Sequence, residues 1–92
     1  MHFYGRPTLE NTIEPKVVLL AAEKIRTLGI ARDGKYVYRQ ISLEISYDGY
    51  TVTLSNPTVS LSLFFHNKVK ATYKRMSDLE SFYQSLKNVA AE

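Results

Sequence analysis

The chain has 92 residues, 45% of them hydrophobic and 23% charged, a globular balance that excludes wholesale disorder and sets the expectation of one domain. There is no cysteine, which excludes disulfide staples, thiolate nucleophiles, thiolate zinc sites and iron–sulfur clusters. The net charge of +3 is mild for a dedicated nucleic-acid binder, and no apolar run nears the ~18 residues a spanning helix needs.

Residues 1–14 carry Gly5, Pro7, Thr8, Asn11 and Thr12 without a sustained period and read as an extended arm. Phe3, Tyr4 and Leu9 are too apolar for a free tail, so the arm is expected to dock in part. The N-terminus has no apolar signal-peptide core, and His2 excludes a myristoylation motif, so the expected compartment is the cytoplasm.

Pro15 suits the first position of a helix and Glu14 its positive end. Val17, Leu20, Ala21, Ile25 and Leu28 then recur at steps of three and four, which predicts a half-buried helix over Pro15–Leu28. Gly29 is expected to stop it in the left-handed conformation.

After a turn at Arg32-Asp33-Gly34-Lys35 the period becomes two. Ile41, Leu43, Ile45 and Tyr47 alternate with Ser42, Glu44 and Ser46. Asp48-Gly49 then predicts a two-residue hairpin turn that pairs Tyr47 with Tyr50, Ile45 with Val52 and Leu43 with Leu54. Asn56-Pro57-Thr58 breaks the chain again. Val59, Leu61, Leu63 and Phe65 form the third strand, and a three-residue loop at His66-Asn67-Lys68 would set Phe65 against Val69, Leu63 against Ala71 and Leu61 against Tyr73. The last helix should open at Ser77, whose side chain and that of Glu80 form a capping box. Leu79, Phe82, Tyr83, Leu86, Val89 and Ala90 supply its apolar stripe.

The expected fold is therefore α+β in the order α-β-β-β-β-α. A four-stranded antiparallel meander would carry both helices on one face, with residues 15–92 a single domain after the arm. The fragments Asp48-Gly49-Tyr50-Thr51-Val52 and Phe64-Phe65-His66-Asn67-Lys68 resemble a family of short uncharacterised proteobacterial proteins. That resemblance covers the middle third of the chain. It implies a bacterial cytoplasmic setting and brings no activity or functional residues.

Catalytic chemistry finds little material. His2 falls in the arm and His66 in a turn, while Asp33, Asp48, Asp78 and Glu80 have turn, cap or dipole roles. Glu44 stands alone on a strand's polar face, where a solvated carboxylate is the ordinary case. Isolated glycines make no phosphate loop, and two histidines without cysteine make a poor metal site. No catalytic residue, cofactor or metal is expected.

Two surfaces remain. From Asp48 to Asp78 no acidic residue intervenes, and Lys68, Lys70, Lys74 and Arg75 gather there. In the expected register Phe64 lies across from Lys70, and Tyr36 and Tyr38 share that polar face if the first strand reaches back to them. Lysines beside exposed aromatics suit phosphates and bases. Lysines on an edge strand also prevent sheet-to-sheet pairing, and that explanation weighs more. No RNP motif is present.

The second surface is the stretch Tyr36–Ile41, which the Asp48-Gly49 hairpin leaves without a partner strand. Covering by residues 1–9, or a loop at 36–40, would explain it without function. Tyr36, Val37, Tyr38 and Arg39 otherwise form an interaction edge for a protein partner or a second copy of the chain. The favoured expectation is a small non-enzymatic protein-interaction module that self-associates through its first strand, with no membrane partner. Nucleic-acid or polyanion binding on the basic polar face is the alternative.

Overall fold

The computed structural model describes residues 13–64 and 68–92. Helix α1 spans Pro15–Leu28, with Pro15 in its first turn as expected. Its buried face is Val18, Ala21, Ala22 and Ile25, while Leu20 is 44% exposed. Of the predicted stripe Ala21 and Ile25 are buried, Leu20 and Leu28 stay exposed, and Val18 and Ala22 are buried in addition. Residues 17–22 are apolar all round, so periodicity alone does not select a face, and the small Ala21 and Ala22 let the second helix approach closely. Gly29 is extended, with φ −82 and ψ 178, and not left-handed.

The sheet has six antiparallel strands in chain order, not four. They are β1 (Ile30–Arg32), β2 (Lys35–Tyr38), β3 (Ile41–Ile45), β4 (Val52–Ser55), β5 (Val59–Leu63) and β6 (Val69–Tyr73). The additional strands arise ahead of Ile41. Asp33 and Gly34, at φ 52 and φ 80, close a two-residue turn that pairs Arg32 with Lys35. Arg39 and Gln40, at φ 51 and φ 68, close another that pairs Tyr38 with Ile41. Tyr36 and Val37 are consequently paired with a strand on each side and Tyr38 with β3, so the expected open edge is an interior strand. Among the described residues the edges are β1 and β6.

Leu43 stands opposite Leu54 and Ile45 opposite Val52, as predicted. Tyr47 and Tyr50 do not continue this ladder. They lie in a longer loop in which the Gly49 N–H donates to the Ser46 carbonyl at 2.9 Å and only Gly49 takes a positive φ. The next hairpin is shifted by two residues: Leu63 faces Val69, Leu61 faces Ala71 and Val59 faces Tyr73. A shift of two preserves which face each side chain takes. Phe65, His66 and Asn67 lie outside the described residues, as does the arm before Ile13.

Helix α2 spans Met76–Ala90, and Arg75 occupies its N-cap with no side-chain cap bond. The predicted capping box therefore falls inside the helix, Ser77 included. The first turn closes through the Arg75 carbonyl, which accepts from Asp78 at 3.0 Å and Leu79 at 3.3 Å. Both helices pack on each other and on one sheet face. Leu79, Phe82, Leu86 and Val89 of α2 meet Leu43, Leu54 and Leu61 there, all buried. Ile45 is 44% exposed, so this covering ends before the β3–β4 loop. Ile13 is buried, and the Glu14 N–H donates to the Tyr83 hydroxyl at 3.0 Å, which ties the start of α1 to α2. No helix among the described residues is long and apolar enough to cross a membrane.

Candidate functional site

Because both helices lie on one face, the other face of the sheet has no covering element among the described residues. Strand alternation and the pairing register determine what it presents. One row across the sheet runs Ile30, Val37, Ser42, Ser55, Ser60, Thr72. The next contains Arg32, Lys35, Glu44, Thr53, Ser62 and Lys70, with Lys35 and Glu44 lying on neighbouring strands. The centre is a floor of hydroxyls, in which those of Thr53 and Ser62 bond each other at 3.1 Å. Cations stand at both ends. Five strand spacings separate β1 from β6, roughly 24 Å at the usual ~4.8 Å each.

The predicted basic patch is partly assembled by this geometry. Lys70 lies on the open face, opposite Ser62 rather than Phe64, and Lys74 is exposed in the bend just past β6. Phe64 instead meets Lys68, whose carbonyl accepts its N–H at 2.8 Å. Arg75 caps α2 at the opposite end of β6 from Lys68. Tyr36 and Tyr38 leave the face altogether. The turn at Arg39-Gln40 sets them against Leu43 and Ile41, so their rings pack on the core side. Val37 takes the open face in their place. Arg32 and Lys35 join the face through the hairpin that sequence reasoning missed, although Asp33-Gly34 carries the same turn chemistry as Asp48-Gly49. Glu44, the single acid on these strands' outer face, lies 3.8 Å from the Lys35 ammonium.

A meander places alternate turns at one end. The turns after β1 and β3 therefore stand side by side with the end of β5, where Phe64 and Lys68 lie. At this end Tyr47 is fully exposed, Tyr50 is 60% exposed and Phe64 37%. The middle loop is ordered by its own side chains. Asp48 Oδ1 accepts from the Ser46 hydroxyl at 2.6 Å and the Tyr50 N–H at 3.0 Å, while Ser46 Oγ accepts from the Thr51 N–H at 3.0 Å. These bonds, the Ser46 one foremost, hold the Asp48 carboxyl below the usual carboxylate range.

At the other end Arg39 and Tyr38 bind the terminal acid. Arg39 Nε lies 2.8 Å from Glu92 Oε2, the Tyr38 hydroxyl donates to Glu92 Oε1, and the Lys24 ammonium donates to the Glu92 backbone oxygen. The Arg39 guanidinium also sits 5.2 Å from the Tyr38 ring centre. The Tyr38 hydroxyl foremost, then Glu92, raise the affinity of this guanidinium for its proton. A shallow cleft of about 200 Å³ adjoins it, lined by Arg39, Ile41, Ser85, Asn88, Val89 and Glu92. Two of the four residues proposed as an interaction edge thus clasp α2 to the β2–β3 turn. Among the described residues no three of His, Cys, Asp or Glu converge as a metal site would require.

No curated protein and no solved structure matches the chain. A family model does, over residues 13–92, which takes in both helices and all six strands. The chain accordingly belongs to the family described as protein of unknown function DUF3081.

Proposed function

We propose that this protein is a non-enzymatic binding module that receives an extended polyanion on the open face of its sheet. One observation carries the reading: Arg32, Lys35 and Lys70 border a hydroxyl floor, Lys68 and Lys74 flank the ends of β6, and Glu44 is the single strand carboxylate, already beside Lys35. Cations roughly 24 Å apart cannot converge on one small anion, but a linear polymer crossing the strands can meet both groups. The hydroxyls between them can donate to its oxygens. Without disulfides the fold depends on packing alone, which suits a reducing compartment, and we place the protein in the cytoplasm.

Retention on immobilised heparin at two salt concentrations tests this. Wild type should be retained at low salt and released at moderate salt. At ~0.7 per neutralised phosphate, a single-stranded ligand should give a log–log salt slope no steeper than about −3.5 for five cations. Lys70→Glu/Lys74→Glu should lose retention while melting normally. A wild type that passes straight through, or a double variant retained like wild type, overturns the proposal.

A protein partner or second copy is the other reading. It now attaches to β1, where Ile30 is 67% exposed on an edge strand. Sedimentation of wild type beside Ile30→Lys decides it: association lost in the variant supports it, and a monomeric wild type removes self-association.

A further inference from the structure

We infer that the end of the sheet carrying the β1–β2 turn, the β3–β4 loop, Phe64 and Lys68 is a stacking site for the bases of a single-stranded nucleic acid, whose phosphates run onto the open face. This rests on the polyanion reading above and narrows it to one class of polymer. The observation is the company the exposed aromatics keep. Tyr47 is fully exposed and Phe64, 37% exposed, stands on the neighbouring hairpin. Lys68 is backbone-bonded to Phe64, and Arg32 and Lys35 flank the β1–β2 turn. Rings and cations therefore alternate along one end of the sheet, with neighbouring hairpins roughly 10 Å apart, two strand spacings.

Tyr47 contributes nothing to the core, and a tyrosine ring left in water has a high cost in exposed apolar surface. The loop that presents it is nevertheless built to hold still. Its Asp48 and Ser46 side chains take up the Tyr50 and Thr51 amides and each other. A ring on such a loop loses little conformational freedom when a flat partner settles on it. Nucleobases in a single strand offer their faces, whereas those in a duplex are already stacked and paired. Base–aromatic stacking tolerates any sequence, which fits a ligand read by shape and charge. Heparin, which has charge but no bases, would use the cations alone.

The test compares a labelled short oligothymidylate with heparin, using wild type, Tyr47→Ala/Phe64→Ala, Tyr47→Trp and Lys70→Glu/Lys74→Glu, all checked for unchanged melting. Fluorescence anisotropy should show the aromatic double variant weakened about tenfold or more for the oligonucleotide, the lower part of what stacking on a ring is worth. Its heparin retention should match wild type, and Tyr47→Trp should bind the oligonucleotide at least as tightly as wild type. The lysine variant should lose both ligands. Oligonucleotide binding that survives loss of both rings but not of the lysines overturns the stacking inference and leaves the polyanion reading standing. Failure of wild type to bind either ligand overturns both. Ring-dependent binding to vesicles of anionic lipid, without oligonucleotide binding, assigns the tips to a membrane surface instead.

Discussion

A methyl group at Gly29 would sit 2.5 Å from the Ile25 carbonyl oxygen and 2.7 Å from that of Val37. Both neighbours are backbone, so neither can swing aside, and α1 turns into β1 only where no side chain intervenes. Asp48 shows the opposite economy, a side chain shaping the chain around it. Its hydroxyl and amide partners exist for the ionised form, so its folded pKa is depressed. The contribution of those bonds is complete above the ordinary carboxylate range near ~3.9 and is lost as pH falls through the lowered value. The Tyr50 amide resonance should therefore titrate with a midpoint below that range, and Asp48→Asn should abolish the step. A midpoint at or above the ordinary range would show that the loop is not held by the carboxylate.

The two helices illustrate how an element can be right in extent and differ in detail. Helix α2 shows a clean apolar stripe and buries the predicted Leu79, Phe82, Leu86 and Val89, whereas the first half of α1 is apolar all round. In α1 the predicted Ala21 and Ile25 are buried, Val18 and Ala22 join them, and Leu20 and Leu28 stay exposed. The start of α2 differs as well. Ser77 lies past the N-cap, where its hydroxyl has no orphan amide to satisfy in the capping geometry. Ser77→Ala should accordingly change stability by no more than about 0.5 kcal/mol, the range of an ordinary surface substitution. Phe82→Ala should cost about 3–5 kcal/mol by emptying the middle of the core. Urea unfolding of the two variants checks both. A loss of a full cap's worth in Ser77→Ala, about 1 kcal/mol, would restore the capping box.

At the scale of the whole molecule, the six-stranded meander sets up an uneven distribution of protection. β3, β4 and β5 have a strand on each side, and α1 or α2 packs on β3 and β5. β1 is a three-residue edge with every residue exposed. Native-state hydrogen exchange should find the slowest amides in β4 and β5, near the global unfolding limit, and the fastest strand amides in β1. Protection of β1 equal to that of β5 would mean that another chain covers that edge. The same layering explains the candidate site: two helices are enough to bury one face of a sheet this wide, and the charged residues accumulate on the face left over.

The bounds of α1 and the Leu43–Leu54 and Ile45–Val52 pairs were legible in the sequence alone, since proline, turn residues and alternation act over a few neighbouring positions. Lys70 was legible as an outward residue for the same reason: a register error of two leaves the face unchanged. The turn at Arg39-Gln40 was not. Neither residue favours positive φ, and each resists it by roughly 1–2 kcal/mol, so no local signal marks a reversal there. What offsets that cost lies far along the chain, in the β1–β2–β3 ladder and in the grip of Tyr38 and Arg39 on Glu92. A two-residue turn also inverts the face of every residue before it relative to a continuous strand. That inversion carried Tyr36 and Tyr38 into the core side and Val37 outward. It was decided by tertiary contacts, which a short stretch of sequence does not contain.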